Sequence, residues 1–203
     1  MKLYGAPMPA PNPRRVRIFL AEKGIDLAET PLDLRRREHK SDEHRARNSL
    51  GQVPTLELDD GTTISETVAI CRYFEEIHPE PPLFGRTPLE KAEVDMWVRR
   101  IEFVLTQPVG NFWRHAHPFT ASLLTQYKEF GESNRQAYDR AQHWVDGELR
   151  DRRFIAGPAF TIADICALTT IDFADWIGLP VAPERSNLLA WRARVSARPS
   201  AGA

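Results

Sequence analysis

The chain has 203 residues, 42% apolar and 27% charged, which suits one large or two small globular domains and excludes disorder as the main state. Its 27 Lys and Arg nearly cancel 28 Asp and Glu, so nothing calls for a nucleic acid or an acidic membrane as partner. No apolar run approaches the roughly 18 residues of a membrane span, residues 1–5 lack the apolar core of a signal peptide, and Cys71 and Cys166 in apolar surroundings read as buried free thiols, so a cytoplasmic protein is expected.

Residues 2–6 read as a short strand. Pro7, Pro9, Pro11 and Pro13 impose an irregular loop, and Asn12-Pro13 reads as a helix start with Asn as N-cap and Pro at the first helical position. Val16, Phe19 and Leu20 form its apolar stripe and Gly24 its stop. Residues 25–32 suggest a second strand, and the basic run from Arg35 to Lys40 a solvated surface. Residues 53–58, the Asp59-Asp60-Gly61 turn and residues 62–64 read as a hairpin. Ser65 is placed to cap a helix that buries Ile70, Tyr73, Phe74 and Ile77. The order β-α-β, a variable segment, then β-β-α makes the first two strands parallel and the hairpin antiparallel.

Pro79, Pro81, Pro82 and Gly85 stop any element, which sets a linker at 79–87 between a domain at 1–78 and an all-helical domain at 88–203. The second domain opens on a capping box, Thr87-Pro88-Leu89-Glu90. Val94, Trp97, Val98, Ile101 and Val104 hold one stripe until Pro108 kinks or ends the helix. A second long helix carries Phe130, Ala137, Tyr138, Ala141, Trp144 and Val145. A third starts at Thr161 as N-cap with Asp164 at the third position and Phe160 and Ile165 as the hydrophobic staple. It is apolar nearly all round through Phe173, so it belongs at the centre of a bundle. Leu188, Leu189, Trp191 and Val195 mark a last amphipathic helix.

An α/β half, a Pro-rich linker and an all-helical half together resemble the cytosolic glutathione transferases. Four motifs stand in that family's order: Glu38-His39-Lys40, the run from Asn48 to Leu56, Ser65-Glu66-Thr67, and Thr161-x-x-Asp164. The resemblance covers essentially the whole chain. It implies an α/β N-terminal thioredoxin-like domain plus an all-α C-terminal helical bundle domain, the glutathione transferase fold. It also implies a cis peptide before Pro54, leaving the Val53 backbone to pair with the cysteinyl unit of glutathione. Glu66 and Thr67 match the pair that holds the γ-glutamyl end, where a carboxylate meets the ammonium and a helix-start N–H and hydroxyl meet the carboxylate. His39, Lys40 and Gln52 match positions that face the glycyl carboxylate. Read without the resemblance, Glu66-Thr67 is an ordinary helix start and His39-Lys40 a solvated loop.

The family lowers the thiol pKa of bound glutathione so that the thiolate attacks an electrophile. The position usually given to Ser or Cys falls on Ala10, which has no donor, and Tyr4 lies within a strand, where packing explains it. Moving a thiol from about 8.5 to about 6.5 needs roughly 2.7 kcal/mol. A helix N-terminus gives about 0.3–1 and at best about 2, and a hydrogen bond to the charged form about 1.5–3. The dipole of the first helix, beside Ala10 and Asn12, is therefore a partial source. The resemblance is to a subgroup with Gly or Ala here, in which second-domain side chains hold an ordered water; His115 and His117 are the candidates, although two such histidines also suit solvent. A small hydrophobic electrophile is expected in the cleft between domains, against Phe112, Trp113, His117 and Phe119, each of which core packing would equally explain. The expected function is thus conjugation of glutathione, as co-substrate without a metal, to such an electrophile by a homodimer. A non-catalytic transferase-like module for ligand binding or assembly is the alternative. Thiol–disulfide exchange by the protein's own cysteine is not expected, since the first helix has none near its start.

Overall fold

The computed structural model describes all residues 1–203. Strand β1 (Lys2–Gly5) leads through the proline loop to α1 (Pro11–Lys23), whose crossover returns the chain to β2 (Glu29–Pro31). A short helix α2 (Asp42–Arg47) follows, then the hairpin β3 (Thr55–Glu57) and β4 (Thr63–Ser65), and α3 (Thr67–Ile77). The sheet order is β2-β1-β3-β4, with β1 parallel to β2 and antiparallel to β3. This is the thioredoxin-like arrangement, and the strand directions follow from the helical crossover and the Gly61 turn. Gly5 leaves room for the Glu29 carboxylate, which Arg17 holds at 3.2 Å.

Four local expectations need correction. Helix α1 starts two residues early: Ala10 is the N-cap, Pro11 the first helical residue, and Asn12 the second, so Asn12 caps nothing. Proline lacks an N–H, and the first helical N–H groups have no partner within the helix, so Pro13 is as acceptable at the third position as at the first. Ser65 remains in β4, paired with Thr55, and Glu66 takes the cap position of α3 at φ 69°. Helix α2 fills the variable segment; Ser41 accepts its His44 N–H, and Asp42 and Glu43 lie in its first turn. Ile77, assigned to the buried face of α3, is exposed.

The chain divides into two compact units, one of Met1–Leu83 with Pro199–Ala203 and one of Phe84–Arg198. The split lies inside the 79–87 segment, and the last five residues pack with the first unit, where Arg14 donates to the Ala201 carbonyl at 2.8 Å. In the same unit the fully buried Lys23 ammonium meets Glu75 at 2.5 Å and the His78 and Pro81 carbonyls at 2.8 and 2.6 Å, tying α1 to the end of α3.

The second unit opens on α4 (Pro88–Arg100) with its Thr87–Glu90 capping box. Pro108 does not end this helix. A π turn over Ile101–Thr106 carries it into α5 (Gln107–His115), the Gln107 N–H bonding the Glu102 carbonyl five residues back. Pro108 offers the Val104 carbonyl no N–H, and the wider turn absorbs that loss. It also advances the buried face by one residue, so Leu105 is fully buried and Val104, assigned to the stripe, is exposed. Helices α6 (Lys128–Glu148), α7 (Ile162–Trp176) and α8 (Ser186–Ser196) complete the bundle. Helix α7 is buried on all sides from Ile162 to Ile171. Its Asp164 carboxylate accepts the N–H groups of Ile155 (2.9 Å) and Thr161 (3.0 Å) and the Trp191 indole N–H (2.8 Å). No helix is long and apolar enough to cross a membrane.

Candidate functional site

The residues expected to hold glutathione converge at one end of the β3–β4 pair. Register is the cause: with Thr55 opposite Ser65, the Val53–Pro54 segment runs beside Glu66 and Thr67. The Val53–Pro54 peptide is cis. The Gln52 carbonyl accepts three bonds, from His44 Nε2 (2.8 Å), Asn48 Nδ2 (3.0 Å) and Thr55 Oγ1 (3.3 Å), which fixes the backbone on the N-terminal side of Val53. The Gln52 side chain itself is exposed, Val53 is half-buried and Pro54 buried.

Glu66 is exposed and is one of two non-glycine residues at positive φ in the chain. A side chain in that region costs about 1–3 kcal/mol and persists where the surroundings impose it, as at ligand sites. The strain turns β4 directly into α3, so that Glu66 and the buried Thr67 stand together at the start of a helix. On the facing loop, a 3-10 turn at Glu38–Lys40 sets His39 and Lys40 against the turn at Gly51. Lys40 Nζ donates to the Leu50 carbonyl at 2.9 Å. A Cβ on Gly51 would sit 2.8 Å from the His39 carbonyl, so glycine is required there on space as well as on its φ of 55°. His39 Nδ1 is buried without a partner. Burial, followed by the charges of Lys40, His44 and Arg37, lowers the His39 pKa.

At the start of α1, Pro11 and Pro13 present no N–H, and the Ala10 N–H bonds the Pro7 carbonyl at 3.2 Å. The Asn12 amide is therefore the one main-chain donor among the first three helical positions, while its side chain is exposed. No side-chain hydroxyl caps this helix. Tyr4 is buried, with the Arg47 guanidinium 4.4 Å above its ring and His44 edge-on at 6.2 Å.

In the second unit the two candidate histidines part company. His115 Nδ1 accepts the Tyr127 N–H at 3.4 Å and its ring packs on Tyr127 and Phe130, joining α5 to α6. His117 lies among rings instead, 4.7 Å from Trp113 and 6.4 Å from Trp176. Phe112 is buried under the Arg135 guanidinium and belongs to the core, whereas Phe119 is exposed and stacks on the partly buried Trp113.

Sequence reading gave no role to His44 and Asn48, which hold the Gln52 carbonyl, or to Trp176, which lies beside His117. The Ser41-Asp42-Glu43 helix start was the available signal for the first two, since a helix over 42–47 brings both toward the Gln52 segment. No local pattern marks Trp176: Phe173 is its neighbour on α7, but Trp113 and His117 come from α5 and the turn after it.

Residues 10–77 match the family model described as the glutathione S-transferase N-terminal domain, and residues 112–199 that of the C-terminal domain. The chain is 39% identical to glutathione S-transferase 2 of Saccharomyces cerevisiae over 98% of its own length and 87% of that protein's. It is 32% identical to human glutathione S-transferase theta-2, covering 91% of this chain and 76% of that one. The crystal structure of Gtt2 from Saccharomyces cerevisiae superposes with a TM-score of 0.93 at 38% identity, covering 100% of this chain and 99% of the other.

Proposed function

The chain belongs to the glutathione S-transferase family, and we propose that it conjugates the glutathione thiolate to a small hydrophobic electrophile, with its first unit as the glutathione holder. The observation that carries this is the convergence of the strained Glu66, the buried Thr67 and the triply anchored Gln52–Val53 backbone at one sheet end. Each suits a different part of the tripeptide. Glu66 offers a carboxylate to the α-ammonium, and Thr67 a hydroxyl and a helix-start N–H to the α-carboxylate. The Val53 main chain pairs with the cysteinyl amide through the cis-Pro54 turn, and His39, Lys40 and Gln52 receive the glycyl carboxylate.

Thiol activation then falls to the start of α1. With Ala10 at the cap, the helix terminus and the Asn12 amide supply part of the roughly 2.7 kcal/mol that a two-unit pKa drop requires. An ordered water supplies the remainder. The electrophile takes the aromatic surface around Trp113 and Phe119. Cys71 and Cys166, buried and in no disulfide, suit a reducing compartment, and the cytoplasm, a homodimer and a detoxifying role go with the same reading.

Calorimetry tests the glutathione site. Glu66→Ala removes a charged hydrogen bond worth about 1.5–3 kcal/mol, so affinity for glutathione should fall about tenfold or more. Unchanged affinity would remove Glu66 from the site.

A further inference from the structure

Helix α2 carries one buried imidazole, beside the segment that leads into Val53. His44 is 2% exposed, with the Tyr4 ring edge-on at 6.2 Å. Its Nε2 lies 2.8 Å from the Gln52 carbonyl oxygen, which can only accept, so Nε2 carries the ring proton. Nδ1 then holds a bare lone pair, buried and without a donor. A buried acceptor left unpaired is unfavourable, and a phenyl ring of similar size would avoid it. Packing alone therefore favours an apolar ring at this position. What the imidazole adds is one N–H.

That N–H acts on Val53 through a peptide plane. The Gln52 carbonyl and the Val53 N–H belong to one trans peptide unit, in which C=O and N–H point in opposite directions. Drawing the carbonyl toward α2 therefore turns the Val53 N–H away from α2. Neither that N–H nor the Val53 carbonyl bonds another group of the chain, and Val53 is half-buried. Asn48 Nδ2 at 3.0 Å and Thr55 Oγ1 at 3.3 Å share the Gln52 carbonyl, but the His44 bond is the shortest of the three. Asn48 also meets Thr55 Oγ1 at 3.3 Å and the Leu50 N–H at 3.1 Å, so it serves the whole turn, whereas the His44 ring bonds nothing else. Helix α2 is itself fixed to the sheet: Arg47 Nε donates to Glu57 Oε2 at 2.8 Å, and the guanidinium lies 4.4 Å from the Tyr4 ring. The imidazole thus carries the position of the sheet to one peptide.

We infer that His44 is a positioning residue for glutathione: by holding the Gln52 carbonyl it sets the direction of the Val53 N–H that receives the cysteinyl unit. The proposal rests on the transferase reading. The Val53 contact is made to the main chain of the tripeptide and not to the reacting sulfur. It is therefore equally strong in the bound ground state and in the transition state, and its loss raises KM without lowering kcat.

The test measures S-methylglutathione binding by calorimetry, free of any thiol proton, and glutathione turnover with 1-chloro-2,4-dinitrobenzene at fixed concentration. The proteins are the parent, His44→Phe, His44→Asn and His44→Gln. Glutamine brings its amide nitrogen to the reach of the imidazole Nε2, whereas asparagine is one bond shorter. His44→Phe and His44→Asn should weaken S-methylglutathione about fivefold and raise the glutathione KM alike, with kcat within about twofold of the parent. His44→Gln should keep affinity and KM within about twofold of the parent, because it restores the hydrogen bond. A packing role alone gives the reverse order, with the phenyl ring mild and the glutamine harmful. That order, equal affinity in all four proteins, or a loss confined to kcat would overturn the proposal. Should His44→Phe fail to fold, the contrast between His44→Gln and His44→Asn still decides. If S-methylglutathione does not bind the parent, the transferase reading falls and the proposal with it; binding that is indifferent to the substitutions overturns the proposal alone.

Discussion

His117 shows how one residue's surroundings set its chemistry. Its ring is partly buried among Phe112, Trp113 and Trp176, and burial lowers its pKa from the ordinary 6.5. The native state therefore binds this proton less readily than the unfolded chain does. Its contribution to stability is complete above about pH 6.5 and is lost as pH falls through the lowered native value. Subtracting the unfolding free energy of His117→Phe from that of the parent should give a difference that declines with acidification below about pH 6.5. A flat difference would show that burial leaves the imidazole unperturbed. Tyr138 is the opposite case: it is 1% exposed, its hydroxyl has no hydrogen-bond partner, and burial pushes its pKa far upward. An unpaired buried hydroxyl costs about 1–3 kcal/mol. Tyr138→Phe should accordingly melt at the same temperature as the parent or a few degrees higher. A lower melting temperature would mean that the hydroxyl is bonded in solution.

Among elements, α7 is anchored through one side chain, Asp164. Asp164 is wholly buried, which pushes its pKa up to about 6, yet its donors keep the carboxylate ionised at neutral pH. Asp164→Ala leaves the Ile155, Thr161 and Trp191 N–H groups buried without an acceptor, at about 3 kcal/mol or more. Thermal unfolding should move down by roughly 6–12 °C, and a shift below about 2 °C would deny Asp164 this role. The Thr161–Asp164 box was legible in sequence because both of its halves are local. The Val104–Leu105 switch was not, because a π turn changes the period that pattern reading assumes. The α3 start was misplaced by one residue for a related reason. Ser65 is a good capping residue by type, but its pairing with Thr55 keeps it in β4 and leaves the cap to a strained Glu66.

For the molecule as a whole, the alternation of strand-like and helical segments before Pro79, and helices alone after it, foretold an α/β unit and a helical one, and the family resemblance made the first thioredoxin-like. The residues proposed to hold glutathione were legible only through the family motifs, since neither Glu66-Thr67 nor His39-Lys40 carries a local signature of its own. What escaped notice, His44 and Trp176 above all, acts across elements, through a carbonyl eight residues away and through rings on another helix. The central claim is that this transferase activates glutathione at a helix start without a side-chain hydroxyl or thiol. Its most direct measurement is the ultraviolet absorbance of the bound thiolate, followed against pH in the enzyme–glutathione complex. The parent and Tyr4→Phe should share an apparent thiol pKa about 1–2 units below the ordinary 8.5, and Ala10→Val, which crowds the space beside the helix start, should return it toward that value. An unshifted thiol in the parent, a shift that vanishes in Tyr4→Phe, or one untouched by Ala10→Val would contradict the claim.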